Sequence, residues 1–185
     1  MGKIDAKDAD VNVAVSDTIG DATVANITDL NALLAATTGT VTATLDGNQA
    51  QLTSITATAS DTGTSTLTIT VDDVVSASQG ASIVAKTDVA TVDFSAAGVS
   101  DTVANLTDAG DSSTSDNLDA IDAKDSDVAI TVTTAATAAQ GASIADSTSG
   151  TVDFSAAGVS DTFANLVAAG TGAVSTNMGK IDAKD

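Results

Sequence analysis

Three stretches of the chain share the phrase IDAKD, and the two with sequence beyond it continue as IDAKD(S/A)DV. They supply Asp5, Asp8 and Asp10; Asp122, Asp125 and Asp127; and Asp182 and Asp185. The spacing D-x-x-D-x-D sets three carboxylates on one turn, and hard oxygen donors of this kind suit Ca²⁺, which takes about six to eight of them. These eight aspartates are the candidate metal ligands, with Ca²⁺ the only cofactor suggested. The phrase lacks the glycine and closing acid of an EF-hand loop, and the glycine-rich calcium nonapeptide is absent. The reading preferred over a metal site is a solvated, helix-capping turn, because runs of charge mark solvated faces.

Two other patterns invite chemistry. Paired aspartates can serve a glycosidase as acid and nucleophile, but only 3 residues are aromatic, all Phe, and the acidic phrase recurs rather than marking one place. The expectation is that the protein is not an enzyme. Threonine rows, Thr42 and Thr44, Thr66, Thr68 and Thr70, Thr131 and Thr133, alternate with apolar residues. Regular rows of this type mark ice-binding solenoids, yet Asn12, Ala14, Asp93 and Asp153 interrupt them, so they read as β-propensity on a solvent face.

Composition removes much of the remaining chemistry. All 25 acidic residues are Asp and all 6 basic residues are Lys, while Cys, His, Pro, Trp and Tyr are absent. Without Cys or His there is no thiolate nucleophile, no Ser-His pair and no ordinary zinc, copper, haem or iron-sulfur site. A formal net charge of −19 opposes phosphate backbones and anionic lipid, whose binding rests on Lys and Arg clusters, so no nucleic acid partner is expected. The longest apolar runs fall far short of the ~20 residues that span a bilayer, so no membrane insertion is expected either.

The elements that must position these residues follow from periodicity. Six segments alternate with period two: from Val11, Val41, Leu67, Ala90, Val128 and Gly150. Alternation marks strands with one buried face. The inward sets are Val11, Val13, Val15; Val41, Ala43, Leu45; Leu67, Ile69, Val71; Ala90, Val92, Phe94; Val128, Ile130, Val132; and Val152, Phe154 beside Gly150. Between strands the period becomes helical: Val24, Ile27, Leu30 and Leu34 share one face and Gly39 follows as a stop. SDTVANL and SDTFANL offer Asp101 and Asp161 as N-caps, with short apolar faces Val103/Leu106 and Phe163/Leu166/Val167. Leu118 with Ile121 and Met178 with Ile181 do the same.

Strand starts recur every 22 to 38 residues, and longer phrases recur with them. TVDFSAAGVSDTVANL at 91–106 returns at 151–166 with one change, QGASI at 79–83 returns at 140–144, and MGKIDAKD opens the chain and closes it at 178–185. We therefore expect 1–185 to hold one tandem repeat of 177 residues in six coils plus an 8-residue overlap with the next copy. Its sub-repeats run about 11–66, 67–127 and 128–185. The fold class expected is an α/β solenoid, right-handed and leucine-rich-repeat-like, stacking strand and short helix around one parallel sheet. The alternative is an all-β solenoid.

ITDLNALLAATTGTVTATLDGN and VDFSAAGVSDTFANLVAAG resemble, in style across nearly the whole chain, the repetitive arrays of giant secreted or cell-surface proteins of marine bacteria, notably marine cyanobacteria. The resemblance implies an extracellular or cell-surface location, great length and a structural or adhesive role. The functional expectation is a structural module of a long filament or surface fibre. Its partners are neighbouring copies, joined as a covalent tandem or end to end. The alternatives are a calcium-dependent adhesin and a virus or phage appendage.

Overall fold

A computed structural model of the chain describes residues 10–20, 24–56, 65–86, 89–94, 97–108 and 112–185. It is an α/β fold with two parallel sheets and connecting helices. It divides into two compact units, Met1–Asp73 with Ser82–Ala96, and Val74–Ala81 with Ala97–Asp185.

In the first unit, β1 (Val13–Ala14), β2 (Val41–Gly47), β3 (Thr66–Val71) and β4 (Val89–Asp93) lie side by side in chain order, all parallel. Val13 stands opposite Val41, Ala43 opposite Leu67 and Ile69 opposite Val92, so inward residues stack on inward residues. Parallel neighbours require a crossover. The first carries α1 (Val24–Ala36), whose Ile27, Leu30 and Leu34 recur at helical spacing and are all buried. The second opens with α2 (Gln49–Leu52), a single turn fixed by a capping box in which Asn48 Oδ1 accepts from Gln51 N and Gln51 Oε1 from Asn48 N. A third helix, α3 (Ala77–Val84), whose residues up to Ala81 belong to the second unit, starts with the same exchange between Ser76 and Gln79.

In the second unit, β5 (Val99–Asp101), β6 (Ile130–Val132) and β7 (Val152–Asp153) again follow chain order in parallel. Val99, Ile130 and Val152 form one buried row. Five helices accompany them: α4 (Val103–Leu106), α5 (Asp116–Asp122), α6 (Ala138–Asp146), α7 (Phe163–Leu166) and α8 (Thr176–Asp182). Ser115 and Ser175 cap α5 and α8 alike, each hydroxyl accepting the amide three residues on, and Thr137 with Gln140 closes a capping box on α6. The recurring Gln of QGASI is thus a helix-start residue.

The six alternating segments all hold strand residues, and helices lie in the connections within each sheet, as the α/β expectation required, but the single parallel sheet expected is two, one of four strands and one of three. Three details differ. Ala90, assigned inward, is exposed, because the β3–β4 register slips between Leu67 and Thr68 and leaves Ala90 as the extra residue of a bulge. Strand β5 was not foreseen. Phe163, assigned to an apolar helix face, is 78% exposed, whereas its counterpart Val103 is 5% exposed. Among the threonine rows, Thr42 stands beside Thr66, Thr44 beside Thr68 and Thr68 beside Thr91, with Thr42, Thr44, Thr66 and Thr68 exposed.

Candidate functional site

The acidic phrase forms a tight corner between a helix end and the next strand. The Ile121 carbonyl accepts the amides of Lys124 and Asp125, and the Ile181 carbonyl accepts those of Lys184 and Asp185. Asp122 is half-buried, Asp125 buried, and Asp10, Asp127, Asp182 and Asp185 exposed; Asp5 and Asp8 lie outside the described residues. No group of three or more carboxylates among the described residues is placed to hold a metal ion. Burial, with the charge of Asp119, raises the Asp122 carboxyl above the usual range.

What the described residues of the corner do is grip the preceding crossover. Ile181 fills the space over Gly141, where an added Cβ would stand 2.7 Å from Ile181 Cδ1, and Ile121 does the same over Gly80 at 2.6 Å. Lys184 Nζ donates to the Thr148 carbonyl at 2.7 Å, the Asp185 carboxylate accepts the Phe154 amide at 3.2 Å, and the Lys184 carbonyl accepts the Val152 amide at 2.9 Å. The following crossover then closes on the other side. Thr37 Oγ1 donates to the Val11 carbonyl at 2.6 Å and Thr148 Oγ1 to the Val128 carbonyl at 2.7 Å, while Gly39 and Gly150 amides donate to those hydroxyls. A Cβ at Gly39 would lie 2.5 Å from the Val11 carbonyl oxygen, and one at Gly150 2.2 Å from that of Asp127. Gly39, expected as a helix stop, is required by this close approach of two backbones.

A second set of aspartates works between crossovers. Helix N-termini leave amides without intrahelical partners. The first amide of α2, at Gln49, is taken by Asp73 Oδ1 at 2.8 Å; that of α3, at Ala77, by Asp101 Oδ2 at 3.0 Å; and that of α6, at Ala138, by Asp161 Oδ2 at 3.0 Å. The first amide of α4, at Val103, goes to Thr134 Oγ1 at 3.0 Å. In each case the acceptor comes from 23 to 31 residues further along the chain. Asp101 and Asp161 were expected as N-caps of their own helices, but Thr102 and Thr162 hold that position without a side-chain cap bond. The aspartates precede them. Each Oδ1 accepts the next amide and the side chain of Asn105 or Asn165, and each Oδ2 reaches back to the earlier helix. These donors, Asn165 first, then Thr162 and Ala138, hold the Asp161 carboxyl below the usual range. The sequence signal for this arrangement was the recurrence of D-T-x-A-N at 101–105 and 161–165.

No described helix is long and apolar enough to cross a membrane. The chain matches no family model, no curated protein and no solved structure.

Proposed function

We propose that the chain is a structural repeat module of a long extracellular filament or cell-surface fibre, folded as an α/β solenoid whose successive strand–helix coils stack along one axis. The observation that carries this reading is the duplication of bonding. Asp101 with Thr102, Asn105 and Ala77 makes the same four-residue pattern as Asp161 with Thr162, Asn165 and Ala138. Repeats that bury their apolar faces only against neighbours characterise stacked architectures. Strand order that never departs from chain order, always parallel, is what such stacking requires.

The acidic phrase supports a structural role, since its Ile, Lys and final Asp are all spent on the preceding crossover at 181–185. On this reading the protein performs no catalysis, and its many exposed aspartates keep the fibre solvated and prevent side-by-side adhesion. The resemblance to the arrays of marine bacteria agrees with it. The test is the mass of the native polypeptide under denaturing conditions, together with antibody labelling of intact cells. A mass many times 17.9 kDa with surface labelling is expected; a mass near 17.9 kDa with no label on intact cells would overturn the fibre.

A further inference from the structure

Building on the stacking reading, we infer that the surface around Val159, Asp161 and Phe163 is a docking face for residues 13–19 of a second copy of this chain, joined head to tail. Inside the chain the counterpart of this face is already covered. Val99, Ser100 and Asp101 pair with Ile130, Thr131 and Val132, and the Asp101 carbonyl accepts the Thr133 amide. Under that strand Val99 and Val103 are 1% and 5% exposed. Sixty residues on, the same phrase leaves Val159 and Asp161 half-buried and Phe163 78% exposed. Gly98 and Gly158 record the difference independently. Their φ angles are 71° and 70°, yet a Cβ on Gly98 would meet the Ala129 carbonyl at 2.7 Å, while one on Gly158 meets nothing within 4 Å.

The occupant is specified by sequence. The covering strand at 128–132 follows AIDAKDSD, and the only other such phrase with sequence after it is KIDAKDAD, which leads into VNVAV at 11–15. Aligning the two phrases sets Val13, Ala14 and Val15 on Ile130, Thr131 and Val132, and Ile19 on Ala136. The chain folds them alike: Ile19 bridges forward to Leu45 as Ala136 does to Val159. They differ in burial. Ile130, Val132 and Ala136 are 2%, 0% and 1% exposed, but Val13, Val15 and Ile19 are only half-buried. Among the described residues, β1 therefore has a paired strand on one side alone, and no strand pairs with the far side of the 159–161 segment.

In the docked pair, Val159, Ser160 and Asp161 of one copy stand opposite Val13, Ala14 and Val15 of the next. The same alignment places Asp17 where Thr134 accepts the Val103 amide, so its carboxylate takes the first amide of α7, at Phe163. The contact is heterologous, and a heterologous contact that does not close into a ring propagates.

The absence of native cysteine gives a clean test. Ala14→Cys and Ser160→Cys are introduced together in the full chain, which is oxidised at high concentration in about 0.5 M salt to screen the repulsion between acidic copies. The expected result is a ladder in steps of 17.9 kDa whose disulfides join position 14 to position 160. Adding Phe163→Asp at one side, or Asp17→Ala at the other, should cut the ladder at least tenfold while leaving the circular dichroism spectrum unchanged. A statistical mixture of 14–14, 160–160 and 14–160 links, no ladder, or a ladder indifferent to both changes would overturn the docking. A long native polypeptide with no such ladder would keep the fibre and discard this interface.

Discussion

At Asp161 three donors converge on one half-buried carboxylate, and the consequence is a defined pH dependence. A carboxyl held below its ordinary value of 3.8 adds stability above that value and loses it as the pH falls through the depressed one. The unfolding midpoint of Asp161→Asn should therefore lie below that of the parent at pH 6, with the gap closing toward pH 2. Asp122 runs the other way, because its raised carboxyl disfavours the charged form in the fold. Asp122→Asn should cost nothing at pH 7 and gain slightly, as calorimetry at the two pH values will show. Glycine offers a sharper contrast. Gly150→Ala forces a methyl to within 2.2 Å of a carbonyl oxygen and should cost at least about 2 kcal/mol. Gly179→Ala, inside α8 with nothing within 4 Å, should gain about 0.5–1 kcal/mol. Urea midpoints of the two variants will separate close approach from mere chain flexibility.

The strands and helices show where local pattern suffices and where it fails. Strands β2 and β3 were legible because every second residue is apolar and each such residue is buried. Strand β5 was not, because its inward residues are Val99 and the buried Asp101, and a polar residue facing inward erases the alternation. Ala90 was misplaced for a related reason: a bulge is a property of two strands, invisible in one. The corner at IDAKD was legible as a helix end but not as a grip, since Thr148, Phe154 and Gly141 lie 31 to 40 residues away. Asp46 on β2 carries the element's own prediction. Its Oδ1 is buried without a hydrogen-bond partner, and Thr70 stands beside it where Thr44 meets Thr68 one step earlier. Asp46→Thr continues the threonine row and removes an unsatisfied acceptor, which should stabilise the fold by about 1–2 kcal/mol in thermal unfolding.

For the whole molecule, the proposed stacking makes stability depend on copy number. In a one-dimensional stack, each copy contributes its own folding free energy and each junction adds an interface term. On that reading, two copies sharing the IDAKD seam, residues 1–177 followed by 1–185, would cover one Phe163 and one β1 edge that no described residue of a single copy pairs with. Both the urea midpoint and the steepness of the transition should then rise from one copy to two and again to three, because larger cooperative units expose more surface on unfolding. Independent beads on a string would give the same midpoint at every length. Phe163→Asp in the first copy of the pair distinguishes the cause. If the gain arises at the junction, that one exposed residue returns the pair to single-copy behaviour, whereas the same change in the last copy, which has no following neighbour, should leave the midpoint where it was. On the proposed stacking, charge would set the direction of growth. With a formal net charge of −19 per 185 residues, lateral contact between copies would be repelled, and the half-buried Val13, Val15 and Val159 are where the proposed association would remove carbon from water. Lower salt should weaken end-to-end association of separate chains while leaving the midpoint gain of a covalent pair largely intact, since the junction there forms within one molecule.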